Sequence, residues 1–242
     1  MITVTDDAIL LSKRRYGERG VFITVFTRHH GKRSGFAYSW SKHAAFQKGM
    51  AVTITWKGRT DQHLGTLTLE ANEPAYTPLM AHPQRALVVD LLCFYLYTLL
   101  PDHDPHPDVF DALQQAKADL PTHPSAPRVL ADFERFLLSV LGFGCDLSQC
   151  AATGDTHDLV YISPKTGRAV GRVAGAPYHH RLLALPSFWI RDDSEASETD
   201  LYQALRITGH FLQSCLLGPR SMTLPDLRAH LIPPSEGDRA CA

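Results

Sequence analysis

Cysteine is scarce in these 242 residues, and what there is lies scattered. The five cysteines fall at 93, 145, 150, 215 and 241. The count is odd and two sit in apolar helical stretches, which suits reduced thiols in a cytoplasm better than a disulfide framework. No C-x-x-C pair occurs, nor a Walker lysine in a glycine-rich loop, a G-x-S-x-G elbow or an H-E-x-x-H helix. The chain is therefore expected not to be an enzyme and to need no cofactor. Long hydrophobic runs are missing too. The longest, Ala86–Leu100, has 15 residues and carries Asp90, short of the ~20 a membrane helix needs. It is expected to be a buried helix, with no membrane partner. The N-terminal MITVTDDAILL has no basic segment leading into an apolar run, so no secretory leader is expected.

Acid is scarce over one early stretch. Residues 12–59 hold eleven Lys/Arg and one carboxylate, Glu18, in a chain of formal net charge −1. Residues 1–70 carry eleven bases against five acids, and residues 71–242 carry thirteen against twenty. A basic half followed by an acidic half predicts two domains with different partners.

What is present over the first seventy residues reads as strands. Gly20–Thr27 is rich in Val, Ile, Phe and Thr; His29-His30-Gly31-Lys32 is a turn; Phe36, Tyr38 and Trp40 alternate with Ala37 and Ser39. In Met50–Lys57, Val52, Ile54 and Trp56 face one way and Thr53, Thr55 and Lys57 the other; Leu64–Glu70 repeats the pattern. With Ala8–Lys13 this makes five short strands, each with one apolar face. They suit a small closed barrel of OB-fold size, because closure removes the edges. The proline-bearing stretch Ala71–Pro83 is the expected linker between a domain at 1–78 and a helical domain at 79–242. Helices are expected over Pro83–Leu100, Asp108–Leu120, from a Ser125 cap to Leu141, and from Ser197 or Thr199 to Leu217, with a short one at Pro225–Leu231. Residues 144–190 have no helical period and read as an inserted β subdomain. The class is α+β.

Lys13, Arg14, Arg15, Arg28, Lys32, Arg33, Lys42, Lys48, Lys57 and Arg59 cluster at strand ends and turns. Cations there can displace counterions from a nucleic acid, and exposed Tyr38 and Trp40 can stack on bases. Tyr16 is expected at the surface as well, with Trp56, Phe22 and Phe26 in the core. Two metal candidates carry less. Cys145, Cys150, His157 and His179-His180 fit tetrahedral zinc spacing only loosely. Asp102-His103-Asp104-Pro105-His106-Pro107-Asp108 reads as an exposed connector between helices. Barrel charge alone leaves two other readings open: an RNA-binding OB protein, and a metal-dependent hydrolase built on the Asp/His loop.

The segment AILLSKRRYGERGVFITVFT at Ala8–Thr27, the turn Gly31-Lys32, the helix FERFLLSVLG at Phe133–Gly142, and the FGCDLSQCAATG and SPKTGRAV that follow it, together resemble the bacterial RecO family of DNA repair and recombination mediators. The likeness runs from about residue 3 to residue 231. It implies an N-terminal OB-fold and a helical domain with a zinc-finger-like insertion. It implies binding of single- and double-stranded DNA and annealing of complementary strands. It also implies partnership with RecR, and in places RecF, in loading RecA onto gaps coated by the single-stranded-DNA-binding protein, in the cytoplasm at the nucleoid. The helical domain of such proteins contacts the acidic, Phe-ended tail of the single-stranded-DNA-binding protein. Candidates for that contact are Arg128, Arg135 and Arg206, with Phe133 or Phe211 as pocket wall. One departure stands out. Many relatives hold zinc with two C-x-x-C pairs, whereas here Cys150 matches the first ligand and the others fall on Thr153 and near Val170 and Val173. No zinc is expected.

Overall fold

Strand β1 runs Ile2–Tyr16, far beyond the apolar run Ala8–Lys13. Its length has a purpose. A bulge between Leu10 and Ser12 bends it, so that its first half pairs antiparallel with β4 (Ile2↔Gly58 to Ile9↔Ala51) and its second half with β2 (Ala8↔Thr27 to Tyr16↔Gly20). One strand thus serves two walls. The others are β2 (Gly20–Thr27), β3 (Gly31–Tyr38), β4 (Ala51–Gly58) and β5 (Gly65–Ala71). Two parallel pairs, Gly35↔Gly65 and Phe36↔Thr66, join β3 to β5 and complete a closed barrel in the order β1-β2-β3-β5-β4. This is the OB-fold arrangement. The structure, a computed structural model, describes residues 1–18, 20–38, 43–60, 64–72, 82–191 and 196–232.

The interior follows the period of two. Val21, Ile23 and Val25 of β2, Val52, Ile54 and Trp56 of β4, and Leu67 and Leu69 of β5 form one cluster with Val4, Leu10 and Ala37. Gly65 is required there, since a Cβ would sit 2.4 Å from the Trp56 ring. Ile9 and Phe26 alternate with these residues and so point outward, yet both are fully buried. The cover is helical. Helix α1 (Pro83–Leu99) starts on proline, stops ahead of Pro101 and buries side chains nearly all round, from Val88 to Leu99. Its Cys93 Sγ lies 3.8 Å from the Leu10 carbonyl, to which it donates. Helix α2 (Pro107–Asp119) brings the Phe110 ring 6.0 Å from that of Phe26.

Residues Met1–Thr122 form one compact unit and His123–Ala242 a second. By compactness α1 and α2 group with the barrel, because they cover its outer apolar face.

The second unit is built on α3 (Ala126–Val140), capped by Ser125 Oγ accepting the Arg128 N–H at 3.3 Å, and α4 (Glu198–Phe211), opened by a Ser197–Asp200 capping box. The chain continues as a π-helical turn, Leu212–Leu217, and later a 3₁₀ segment, Asp226–Leu231. Arg228 of that segment reaches into the unit. Its Nε and Nη2 donate to Glu134 of α3 at 2.8 and 2.7 Å, and Nη2 also to the Leu205 carbonyl at 2.6 Å. Thr208 Oγ1 donates to the same carboxylate. Each partner is buried, so losing one would strand a charge. The insertion is a three-stranded sheet, β7-β6-β8, of Leu159–Ile162 (β6), Ala169–Gly171 (β7) and Leu183–Ala184 (β8). Among the described residues, no helix is long and apolar enough to cross a membrane.

Candidate nucleic-acid interface and a second cleft

The barrel has two ends, and they differ. At one end, where β2 begins, β3 and β4 finish and β5 begins, a cleft of about 630 Å³ opens between Tyr16, Phe36, Tyr38, Lys57, Arg59 and Leu64. Tyr16 is 63% exposed and Tyr38 77% exposed. The Tyr16 ring lies 4.9 Å from that of Phe36, which meets Phe22 edge-on at 5.5 Å. Arg14 covers the outer side of Phe22 at 5.3 Å. Phe22, expected in the core, is half-buried in this row of rings, because β2 exposes its outward face here and covers it with α2 only further along. Lys57 and Arg59 are exposed and have no carboxylate partner among the described residues. Flat apolar faces beside uncompensated cations suit a single strand, stacking its bases and neutralising its phosphates.

Five of the other sequence-nominated cations are engaged elsewhere. At the opposite end Arg28 pairs with Asp111 of α2 at 2.7 Å, Lys32 with Asp102 at 3.3 Å, and Lys48 with Asp90 of α1 at 3.2 Å. Lys32 Nζ also donates to the Tyr97 carbonyl at 2.7 Å. Lys13 Nζ donates to the carbonyls of His43, Ala44 and Phe46 at 2.9, 3.1 and 2.6 Å, closing the turn before β4, and burial pushes its pKa down. Arg33 is 3% exposed, with its guanidinium 5.0 Å from the Trp56 ring inside the barrel. The alternation Arg33, Gly35, Ala37 could have revealed this, since Ala37 is core. Arg15 is exposed at the open end of β1. Trp40 and Lys42 lie outside the described residues.

The Asp102–Asp108 stretch is no free connector. The Lys32 carbonyl accepts the His103 N–H at 3.0 Å, and Gly31, at φ +68°, packs so tightly that a Cβ would stand 2.4 Å from the Asp104 carbonyl oxygen. Asp104 takes His106 at 3.2 Å. Beside this seam Asp6, which sequence reading missed, accepts the His29 N–H at 2.8 Å and the Nδ1 groups of His29 and His30 at 2.9 and 2.8 Å. Burial raises the Asp6 pKa, but these hydrogen bonds outweigh it and hold the carboxyl below its ordinary value.

On the second unit, a polar cleft of about 700 Å³ runs along α3. Arg128, Asp132, Arg135, Phe136 and Ser139 form its floor, on one helical stripe. Phe188, Trp189 and Ile190, from the turn that ends the insertion, form its wall together with Cys145. Arg128 lies 3.8 Å from the Phe188 ring centre and bonds Asp132 at 2.6 Å; Arg135 lies 5.1 Å from the Trp189 ring. Arg135 has no ion-pair partner among the described residues. The buried Trp189 Nε1–H likewise has no hydrogen-bond acceptor among them. Burial pushes the Cys145 thiol up to about 11, so it acts as a small apolar group. Of the residues nominated for such a pocket, Arg128 and Arg135 line it. Phe133 does not: five positions from Arg128 turns it about 140° round the helix, into the core. Phe211 is core as well, and Arg206 lies over Tyr202 at 5.5 Å, away from the cleft. Phe188 and Trp189 were missed, although Pro186 just ahead of Ser187 marks the short 3₁₀ turn, Ser187–Trp189, that carries them.

Two family models match the chain, Recombination protein O N terminal over residues 1–73 and Recombination protein O C terminal over residues 81–223. The chain belongs to the RecO family. It is 40% identical over 228 residues to the DNA repair protein RecO of Beijerinckia indica subsp. indica, covering 92% of this chain and 91% of that one. It is 40% identical over 231 residues to that of Xanthobacter autotrophicus, covering 94% and 95%, and 39% identical over 228 residues to that of Mesorhizobium japonicum, covering 93% and 90%.

The zinc implied by the RecO likeness does not fit this chain's donors. Cys150 is buried and its sulfur accepts the Gly171 N–H at 3.2 Å, while Thr153, Val170 and Val173 offer no thiolate. Cys145 belongs to the α3 cleft instead. No group of three His, Cys, Asp or Glu among the described residues could hold a metal ion. The insertion is held by the Leu159, Ile162 and Ala169 side chains, all buried.

Proposed function

We propose that this RecO-family chain is a DNA repair and homologous recombination mediator that acts without a covalent step of its own. It binds single- and double-stranded DNA at the open end of the barrel and anneals complementary strands. With RecR, and RecF where present, it helps load RecA onto gaps coated with single-stranded-DNA-binding protein, in the cytoplasm at the nucleoid. The observation that carries this is the open-end cleft, where Tyr16, Phe36 and Tyr38 stand beside Lys57 and Arg59. Arg14 and Arg15 extend the same cationic rim.

The α3 cleft supports a second contact. An acidic peptide ending in phenylalanine would set its ring between Phe136 and Phe188, its carboxylate on Arg135, and an oxygen on the Trp189 Nε1–H. This fits the tail of the single-stranded-DNA-binding protein.

The test is salt-titrated binding of a labelled single strand. Lys57→Glu with Arg59→Glu should weaken binding at least tenfold and flatten the salt slope by about 0.7 per lost phosphate contact. Unchanged affinity would remove the barrel end as the binding surface. A matched RNA strand binding more tightly than DNA would favour the RNA-binding reading instead.

A further inference from the structure

The helical unit as a whole is mildly acidic, with eleven Lys/Arg and thirteen Asp/Glu in residues 123–242. Its charge is segregated. From Leu159 to Arg191 there is no acid at all, while Lys165, Arg168, Arg172, Arg181 and Arg191 and the pair His179-His180 all fall there. Two of these cations are held. Arg168 faces Asp146 at 3.5 Å, and Arg172 Nε meets both oxygens of Asp158 at 3.1 Å. Lys165 and Arg181 have no ion-pair partner among the described residues, and both are exposed.

Topology brings these two together. Ile162 pairs with both Ala169 and Leu183, so the Ser163–Arg168 turn and the approach to β8 lie at the same end of the small sheet. Between β7 and β8 the chain makes a single helical turn, Arg172–Gly175, then a 3₁₀ turn, Ala176–Arg181. The first is laid over β6: a Cβ on Gly175 would stand 2.5 Å from the Tyr161 ring. The second has no buried residue. Its Tyr178 is 58% exposed, and Val173 just before it is 86% exposed. His179 Nδ1–H donates to the Ala176 carbonyl at 3.0 Å, which turns Nε2 outward, and the two imidazoles stand edge to face at 5.6 Å.

An exposed tyrosine and two imidazoles, flanked by uncompensated Lys165 and Arg181, are a stacking platform with phosphate-binding charge. An acidic peptide would need an apolar pocket for its anchor, and neither cleft described above includes these residues. We infer that the Lys165–Arg181 face of the insertion is a second nucleic-acid contact, holding a strand separate from the one at the barrel. The inference rests on the DNA-binding reading for the class of ligand, though not on the barrel cleft itself. It gives annealing a physical form, with one strand on each unit.

The experiment is a stoichiometric titration of the full chain, at low salt, with a labelled single strand of about 10 nucleotides, short enough to occupy one surface. Wild type should take up two strands per chain. Lys165→Glu with Arg181→Glu should take up one and anneal complementary strands about tenfold more slowly, with its melting temperature unchanged. Tyr178→Leu, which keeps the charge, should weaken the second binding step alone. Lys57→Glu with Arg59→Glu should also leave one strand, held by the insertion, so failure of the barrel reading and failure of this one look different. A wild type that saturates with one strand, or an insertion variant that binds and anneals as wild type does, would overturn the inference. So would loss of acidic-peptide binding in that variant with its strand uptake intact, which would make the face a protein contact.

Discussion

At one end of the barrel Arg28, Lys32 and Lys48 meet Asp111, Asp102 and Asp90; at the other, Lys57 and Arg59 stand beside Tyr38 with no carboxylate among the described residues. Along the sequence these five cations are alike, each at a strand end or turn in an acid-poor stretch. They are put to different uses because α1, α2 and the loop between them bring carboxylates to one end and not to the other. The charge of a segment is therefore a poor guide to the charge of the surface it makes. Residues 1–122 together hold thirteen bases and twelve acids, and much of the barrel's apparent excess is spent on fastening its own helices.

The strongest way to break this contrast is to open the sealed end. Gly31→Val should cost about 3 kcal/mol, because it places a branched side chain at positive φ and drives it into the Asp104 backbone. Chemical denaturation would read this, and a loss under 1 kcal/mol would mean that the seam is not what holds α2 to the barrel. Asp6→Asn tests the same end more gently. It should cost about 1–2 kcal/mol at neutral pH. A carboxyl whose folded pKa is depressed stabilises fully above its unfolded value of about 3.9, and that stability is lost as pH falls through the lower folded value. The difference between wild type and variant should shrink below that range; a gap that persists at pH 2 would assign the effect to packing. The smallest effect belongs to the half-exposed Lys48–Asp90 pair. A double-mutant cycle should give a coupling of about 0.5 kcal/mol or less, fading in high salt. A larger, salt-insensitive coupling would make that pair part of the seal itself.

The strict alternation of Val52, Ile54 and Trp56 against Thr53, Thr55 and Lys57 was enough to read β4 and its inward face, and Ser125 was enough to read the start of α3. The length of β1 was not legible, because it depends on a bulge that appears only when two walls must share one strand. Arg33 shares the inward register of Ala37, which its charge conceals. The carbonyls that hold Lys13 belong to a turn thirty residues away and leave no mark in the sequence. In the α3 cleft, Arg128 and Arg135 were within reach, as seven residues bring a helix back to the same face. Phe188 and Trp189 were not, since only folding sets that turn against α3.

By itself, the sequence determined the barrel, the helices that follow it along the chain and the membership of the RecO family, because period-two and period-3.6 patterns and their order act locally and add up along the chain. Only the tertiary structure decided which cations remain uncompensated. Ion pairing works over a few ångströms in space, and the partners of Arg28 and Lys32 lie some seventy or more residues away.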